Sequence, residues 1–179
     1  LGAHLPDSIA LPVDMIAAFG GWLLDPAEPI ALVAEDAIEA EAAARHLARI
    51  GYDHVEGYLA PSLVAWAAGG EAFGSLPVVG AETVAARLDT DSDWTLLDVR
   101  DDEEVAAAKI PAATHLYVGE LPGTLERLDA TQAHTVMCGS GARATIAASI
   151  LLRAGFERVD LFLGSMSAWR QLGYETASA

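Results

Sequence analysis

The sequence reads as an α/β protein built from two small parallel sheets flanked by helices. Two observations carry that reading. Short apolar runs alternate with alanine-rich segments of helical period, and a long stretch of the chain occurs twice. Strand–helix alternation implies parallel pairing, because a chain that leaves a strand through a helix returns to the end from which the strand began. The runs at 30–34, 95–99, 114–118, 134–138 and 158–162 read as buried strands. The segments 36–50, 81–88, 102–108 and 143–154 read as helices. Asp101, Asp102, Glu103 and Glu104 crowd the start of one of them, where negative charge suits the helix dipole, so they are expected to cap it rather than hold a metal.

The repeat has a fixed spacing. Gly51-Tyr52 returns 104 positions later as Gly155-Phe156, and Ile30-Ala31-Leu32-Val33-Ala34 falls on His134-Thr135-Val136-Met137-Cys138 at the same spacing. Val55–Leu59 falls on Val159–Leu163, and Trp66 on Trp169 with one residue of slippage. The two tryptophans are expected to anchor the core. His4-Leu5-Pro6-Asp7-Ser8 pairs with Lys109-Ile110-Pro111-Ala112-Ala113 at a spacing of 105. The chain is therefore expected to hold two modules, 1–75 and 76–179, with the first lacking its opening strand. The glycine-rich stretch 69–77, ending at Pro77, reads as the linker. With no initiator methionine, Leu1-Gly2-Ala3-His4 reads as the start of a fragment or of a cleaved chain.

A hydrophobic fraction of 53% is ample for a core, yet no apolar run is long enough to cross a membrane. A formal charge of −16 argues against nucleic acid or an anionic membrane as partner. The single cysteine, Cys138, forms no internal disulfide and fits a reducing, cytoplasmic compartment. His4, His46, His54, His115 and His134 show no metal-ligand spacing and read as structural or surface groups.

Cys138 is the most informative residue. It ends an apolar run, precedes the turn Gly139-Ser140-Gly141, and is followed by Ala142-Arg143 at the mouth of a long helix. Backbone N–H groups of a glycine turn, the positive end of the helix and the Arg143 guanidinium all favour thiolate over thiol. A cation in a first helical turn opposes the dipole, so Arg143 is expected to bind an anion or the thiolate. In the first copy Ala34 takes the cysteine's place and is followed by Glu35 and Asp36, which oppose an anionic sulfur; that copy is expected to be inactive.

These segments resemble the rhodanese family of sulfurtransferases. The resemblance rests on the loop after Cys138, the helix running into Gly155-Phe156, the Gly164…Ala168-Trp169 ending, Leu97-Asp98-Val99-Arg100 at a strand end, and Lys109-Ile110-Pro111-Ala112-Ala113. It spans about residues 78–176. It implies that Asp98 and Arg100 brace the active loop, and that Gly139, Ser140, Gly141 and Ala142 line it. Cys-Gly-Ser-Gly also resembles the loop of mercaptopyruvate sulfurtransferases, where the serine is thought to aid substrate protonation; Ala142-Arg143 departs from that subgroup. The inactive-plus-active pair resembles the C-terminal part of fusions with a metallo-β-lactamase-fold persulfide dioxygenase, which implies such a domain in a longer natural chain. The activity implied is sulfur transfer from thiosulfate or a persulfide, through a persulfide on Cys138, to a thiol or cyanide, with no cofactor.

Two rival classes remain. A phosphatase of the same fold needs five residues between cysteine and arginine to wrap a phosphate, and only four intervene here. The other rival is a non-catalytic interaction or regulatory module in which Cys138 is a relic.

Overall fold

The computed structural model describes residues 4–60, 64–90 and 93–178. The opening residues 1–3 lie outside that range. The elements run α1 (Ile16–Leu23), β1 (Ile30–Val33), α2 (Ala37–Arg49), β2 (Val55–Leu59), α3 (Val64–Ala68), α4 (Ala81–Thr90), β3 (Trp94–Asp98), α5 (Asp102–Ala107), β4 (Thr114–His115), β5 (Ala133–Met137), α6 (Ala142–Arg153), β6 (Val159–Leu161) and α7 (Ser165–Gln171). The expected alternation is thus present. The strand expected over 114–118 pairs as a strand only at Thr114 and His115, although Leu116 and Val118 still donate to the carbonyls of Asp98 and Val99. The chain divides into two compact bodies, Leu11–Ala72 on one side and Leu1–Ala10 with Phe73–Ala179 on the other.

In the larger body the sheet has the order β4-β3-β5-β6, and every pair is parallel. Successive side chains of a strand face opposite sides. Trp94 and Leu96 of β3 and Met137 of β5 join Val84 of α4 and Met166 and Trp169 of α7 in one apolar cluster. Helix α6 packs on β5 and β6, burying Ile146, Ala147, Ile150 and Leu151. A polar cluster pins α4 to the sheet. The Arg87 guanidinium donates to Thr135 Oγ1 at 2.8 Å and Asp160 Oδ2 at 2.7 Å, Trp94 Nε1 donates to Thr135 Oγ1 at 2.7 Å, and Thr135 Oγ1 donates to Asp160. His4 to Ala10, placed by the repeat at the head of the first module, pack with this body. His4 and Gly74 exchange two backbone hydrogen bonds, and the Ala10 N–H donates to Ser149 Oγ at 3.0 Å.

The smaller body is a β1-α2-β2 unit with parallel strands, its core made by Ile16, Ala43, Leu47 and Tyr52. Its elements fall on β5, α6 and β6 at the spacing of the repeat. Trp66 and Trp169 each donate their indole N–H to the carbonyl six residues on, Ala72 and Glu175. Trp169 is buried as expected, whereas Trp66 is only half-buried and is not a full core anchor.

Two local features have measurable consequences. Ala112, in the Ile-Pro-Ala-Ala turn before β4, has φ = 64° and is exposed. A Cβ in the left-handed region is strained, and no burial offsets it here. Ala112→Gly is expected to stabilise the fold by about 1 kcal/mol, read as a higher denaturation midpoint; an unchanged or lower midpoint contradicts the strain argument.

His134 is 1% exposed, and its ring meets Phe156 edge-on at 5.3 Å. Nδ1 lies 3.1 Å from the Gln132 carbonyl, so the proton sits there, and Nε2 has no hydrogen-bond partner among the described residues. Burial pushes the His134 pKa below its ordinary 6.5, outweighing the Gln132 contact. Above about pH 6.5 the ring is neutral both folded and unfolded. Below it the unfolded chain gains a proton that the folded one refuses, so stability falls as pH drops from there toward the depressed folded value. Unfolding by urea at pH 7.5 and 5.5 (about one unit either side of the free-imidazole value) is expected to show that loss, and His134→Leu to shrink it. An equal loss in the variant would assign the pH response to other groups.

Candidate active site

Strand β5 delivers Cys138 just past its carboxyl end, the edge where parallel sheets bind ligands. The chain then turns through Gly139, Ser140 and Gly141 into α6, which Ala142 opens. Gly141 has φ = 102°, and a Cβ there would lie 2.6 Å from the Leu163 carbonyl oxygen, so both backbone conformation and space demand glycine. The result is a tight loop whose Gly141 N–H points at Cys138 Sγ from 3.1 Å. That N–H stands at the N-cap of a 12-residue helix, where unpaired donors and the dipole both favour an anion. Cys138 is 1% exposed, while Ser140 is exposed on the loop's rim.

The other wall of the loop is the turn into α7, which the sequence did not single out. Ser165 accepts the Cys138 N–H at 3.0 Å and donates to the Phe162 carbonyl at 2.8 Å, with its Oγ 3.9 Å from Cys138 Sγ. The Met166 and Ser167 N–H groups donate to the carbonyls of Cys138 and Gly139, each at 3.0 Å, and the Ser167 hydroxyl also donates to Gly139. Ser165 is fully buried with φ = 50°. No local sequence signal marks a serine that must adopt a glycine-like backbone.

Arg143 stands in the first turn of α6, as expected, but its charge is already engaged. Its guanidinium forms a bidentate pair with Glu104, with NH2 to Oε1 at 2.9 Å, and approaches Asp101 Oδ2 at 3.6 Å. The Glu104 bonds hold the Arg143 pKa above its usual value. The acidic start of α5 does form a cap, since Asp101 accepts the Glu104 N–H at 2.9 Å. That contact lowers the Asp101 pKa. Glu104 has the further task of holding Arg143. The opposed dipole at Arg143 was the only sequence signal that it needed a carboxylate.

Asp98 and Arg100 sit behind the loop, at 1% and 2% exposure. Arg100 Nε donates to Asp98 Oδ1 at 2.9 Å and NH2 to Oδ2 at 2.6 Å. The same guanidinium donates to the carbonyls of Glu104 and Ala108, at 3.3 and 2.9 Å. His115 Nε2–H donates to the Arg100 carbonyl at 2.7 Å. The pair therefore fixes α5, and through Glu104 it fixes Arg143. Among the described residues, no group of three or more His, Cys, Asp or Glu side chains is placed to hold a metal ion.

A parallel α/β sheet with a cysteine on a glycine loop, facing a helix N-terminus at the strand ends, defines a class of thiol-bearing domain. The rhodanese-like domain family matches residues 80–172, and the chain belongs to that family. YtwF of Bacillus subtilis is 34% identical over 91 residues, covering 51% of this chain and 87% of YtwF, and it carries the name sulfurtransferase provisionally. A protein of Allochromatium vinosum named sulfurtransferase is 30% identical over 95 residues, 53% of this chain and 89% of that one. The rhodanese-like domain of Alr3790 from Anabaena superposes with a TM-score of 0.54 at 26% identity, covering 57% of this chain and 80% of that structure. A rhodanese-related protein of Thermoplasma volcanium gives 0.53 at 21% identity, over 57% and 99%, a likeness of fold alone. No helix among the described residues is long and apolar enough to cross a membrane.

The Ser165 geometry separates strain from hydrogen bonding. Ser165→Gly loses the bond to Cys138 N–H but relieves the left-handed strain; Ser165→Ala loses the bond and keeps the strain. The alanine variant is expected to be less stable than the glycine variant by about 1 kcal/mol in denaturant unfolding. Equal stabilities would mean that position 165 carries no backbone strain.

Proposed function

We propose that this chain is a sulfurtransferase whose Cys138 carries sulfane sulfur as a persulfide. The observation that carries the reading is the Gly141 N–H directed at Cys138 Sγ from 3.1 Å, at the mouth of α6. An anionic sulfur is stabilised there by a backbone donor and a helix terminus, and a persulfide anion extends the same charge outward. The thiolate attacks the outer sulfur of a donor. With thiosulfate, the S–S bond breaks and its electron pair leaves with sulfite, giving Cys–S–S⁻. Cyanide then takes the outer sulfur as thiocyanate, or a thiolate takes it as a new persulfide, and the Cys138 thiolate returns. The names of the sulfurtransferase relatives support this chemistry. The four-residue spacer between Cys138 and Arg143 supports sulfur over phosphate.

The β1-α2-β2 body is, on this reading, an inactive counterpart of the same module. Ala34 stands at the cysteine position. The Asp36 carboxylate caps α2 itself, accepting the Glu39 N–H at 2.8 Å, while Glu39 accepts the Glu35 N–H. The helix terminus that faces a sulfur in one body is closed by a side chain in the other.

The test is intact mass after incubation with thiosulfate, followed by thiocyanate release on adding cyanide. The wild-type protein is expected to gain one sulfur and release it. Cys138→Ser is expected to keep its circular dichroism spectrum and to do neither, because a hydroxyl is a far weaker nucleophile. Turnover in the serine variant would place the chemistry elsewhere, and a wild-type protein that takes no sulfur from any donor would favour the interaction-module reading.

A further inference from the structure

We propose that Glu104 sets the charge of the donor this site accepts, favouring an organic persulfide of low net charge over a dianion such as thiosulfate. The inference rests on the sulfur-transfer reading and narrows its substrate class. Arg143 is the only cation in the loop from Cys138 to Arg143. Each of its terminal nitrogens donates to the Glu104 carboxylate, so its charge is paired, and Asp101 lies 3.6 Å from one of them. Arg100, a cation in the buried layer beneath, is spent on Asp98. One guanidinium and two carboxylates leave the loop's flank with a net negative charge, and the exposed Asp102 and Glu103 add the same sign.

The carboxylate reaches the loop itself. A Cβ built on Gly139, the residue after the nucleophile, would lie 3.2 Å from Arg143 NH2 and 3.5 Å from Glu104 Oε1. A donor docking over Gly139 meets that ion pair. A dianion must either displace Glu104 from Arg143 or lie against uncompensated carboxylates, and like charges at such range are costly in a partly desolvated site. An organic persulfide needs neither. Cys138 S⁻ attacks the outer sulfur of R–S–SH, the S–S bond breaks, and its electron pair leaves on the inner sulfur as RS⁻, giving Cys–S–SH. The Gly141 N–H and the α6 terminus suffice for the single charge at Sγ. Glu104 is thus a positioning residue that acts through Arg143 and through the potential over the loop.

The test compares the full wild-type chain with Glu104→Gln, which keeps the side-chain shape and an acceptor for Arg143. Second-order rates of sulfur gain at Cys138 are measured with thiosulfate and with cysteamine persulfide, whose ammonium leaves it without net negative charge whether its persulfide is protonated or ionised. Alkylation by iodoacetate and by iodoacetamide reads the same potential without sulfur chemistry. Glu104→Gln is expected to raise the thiosulfate-to-cysteamine-persulfide rate ratio about tenfold, and the iodoacetate-to-iodoacetamide ratio in the same direction. A merely structural role would slow or speed both members of each pair together. Sulfur loading at ratios that Glu104→Gln does not move overturns this inference alone. If no donor loads Cys138 in either protein, the sulfur-transfer reading falls and this inference falls with it.

Discussion

The buried ion pair between Asp98 and Arg100 is the constraint on which the site's geometry rests. Two charges at 1% and 2% exposure are expensive to desolvate, and the cost is met because the guanidinium satisfies more than its carboxylate. It forks onto Asp98 and also donates to the carbonyls of Glu104 and Ala108, fastening the middle and the carboxyl end of α5. Helix α5 is six residues long, too short to stand alone. Held this way, it delivers Glu104 to Arg143, and Arg143 to the space above Gly139. Removing one partner of such a pair leaves an uncompensated buried charge, a loss of about 3–5 kcal/mol. The geometry of the loop is therefore tied to a contact buried beneath it.

The two bodies show how one backbone plan is opened or closed to an anion. In both, a parallel strand runs into a helix whose first N–H groups lack helical partners. Before α6 the chain supplies glycine, so no side chain fills the terminus and a sulfur three residues earlier receives the donor. Before α2 it supplies Asp36, whose carboxylate accepts the Glu39 N–H, while the Glu39 carboxylate accepts the Glu35 N–H. A helix that feeds its own terminus is better stabilised and has less to offer a ligand.

Much of this was legible in the sequence, because periodicity and turn chemistry are local. The strands around Leu96, Val136 and Leu161, the helices after Asp36 and Gly141, and the placement of Cys138 at a strand end follow from residues close together in the chain. The misses are long-range or conformational. The shortness of β4 depends on where the chain leaves β3, and no pattern in 114–118 encodes it. The packing of His4–Ala10 with the larger body depends on a bridge to Gly74, seventy positions away. The capture of Arg143 by Glu104, 39 positions apart, engages a charge that the sequence left open to an anion or the thiolate. Ser165 was invisible because its role depends on φ = 50°, a conformation that composition assigns to glycine.

The clamp supplied by Ser165, Met166 and Ser167 has a consequence for how the protein is made. All three bond to the backbone of Cys138 or Gly139, and all three lie 27 to 29 residues after Cys138 in the chain. A ribosome releases Cys138 well before them, and domains fold as units from the amino end. Until the turn into α7 emerges, the nascent chain carries a thiol whose loop has no second wall. The thiol's surroundings are thus completed only after the thiol itself, and a chain interrupted before Gly164 contains the motif without the cradle that orders it.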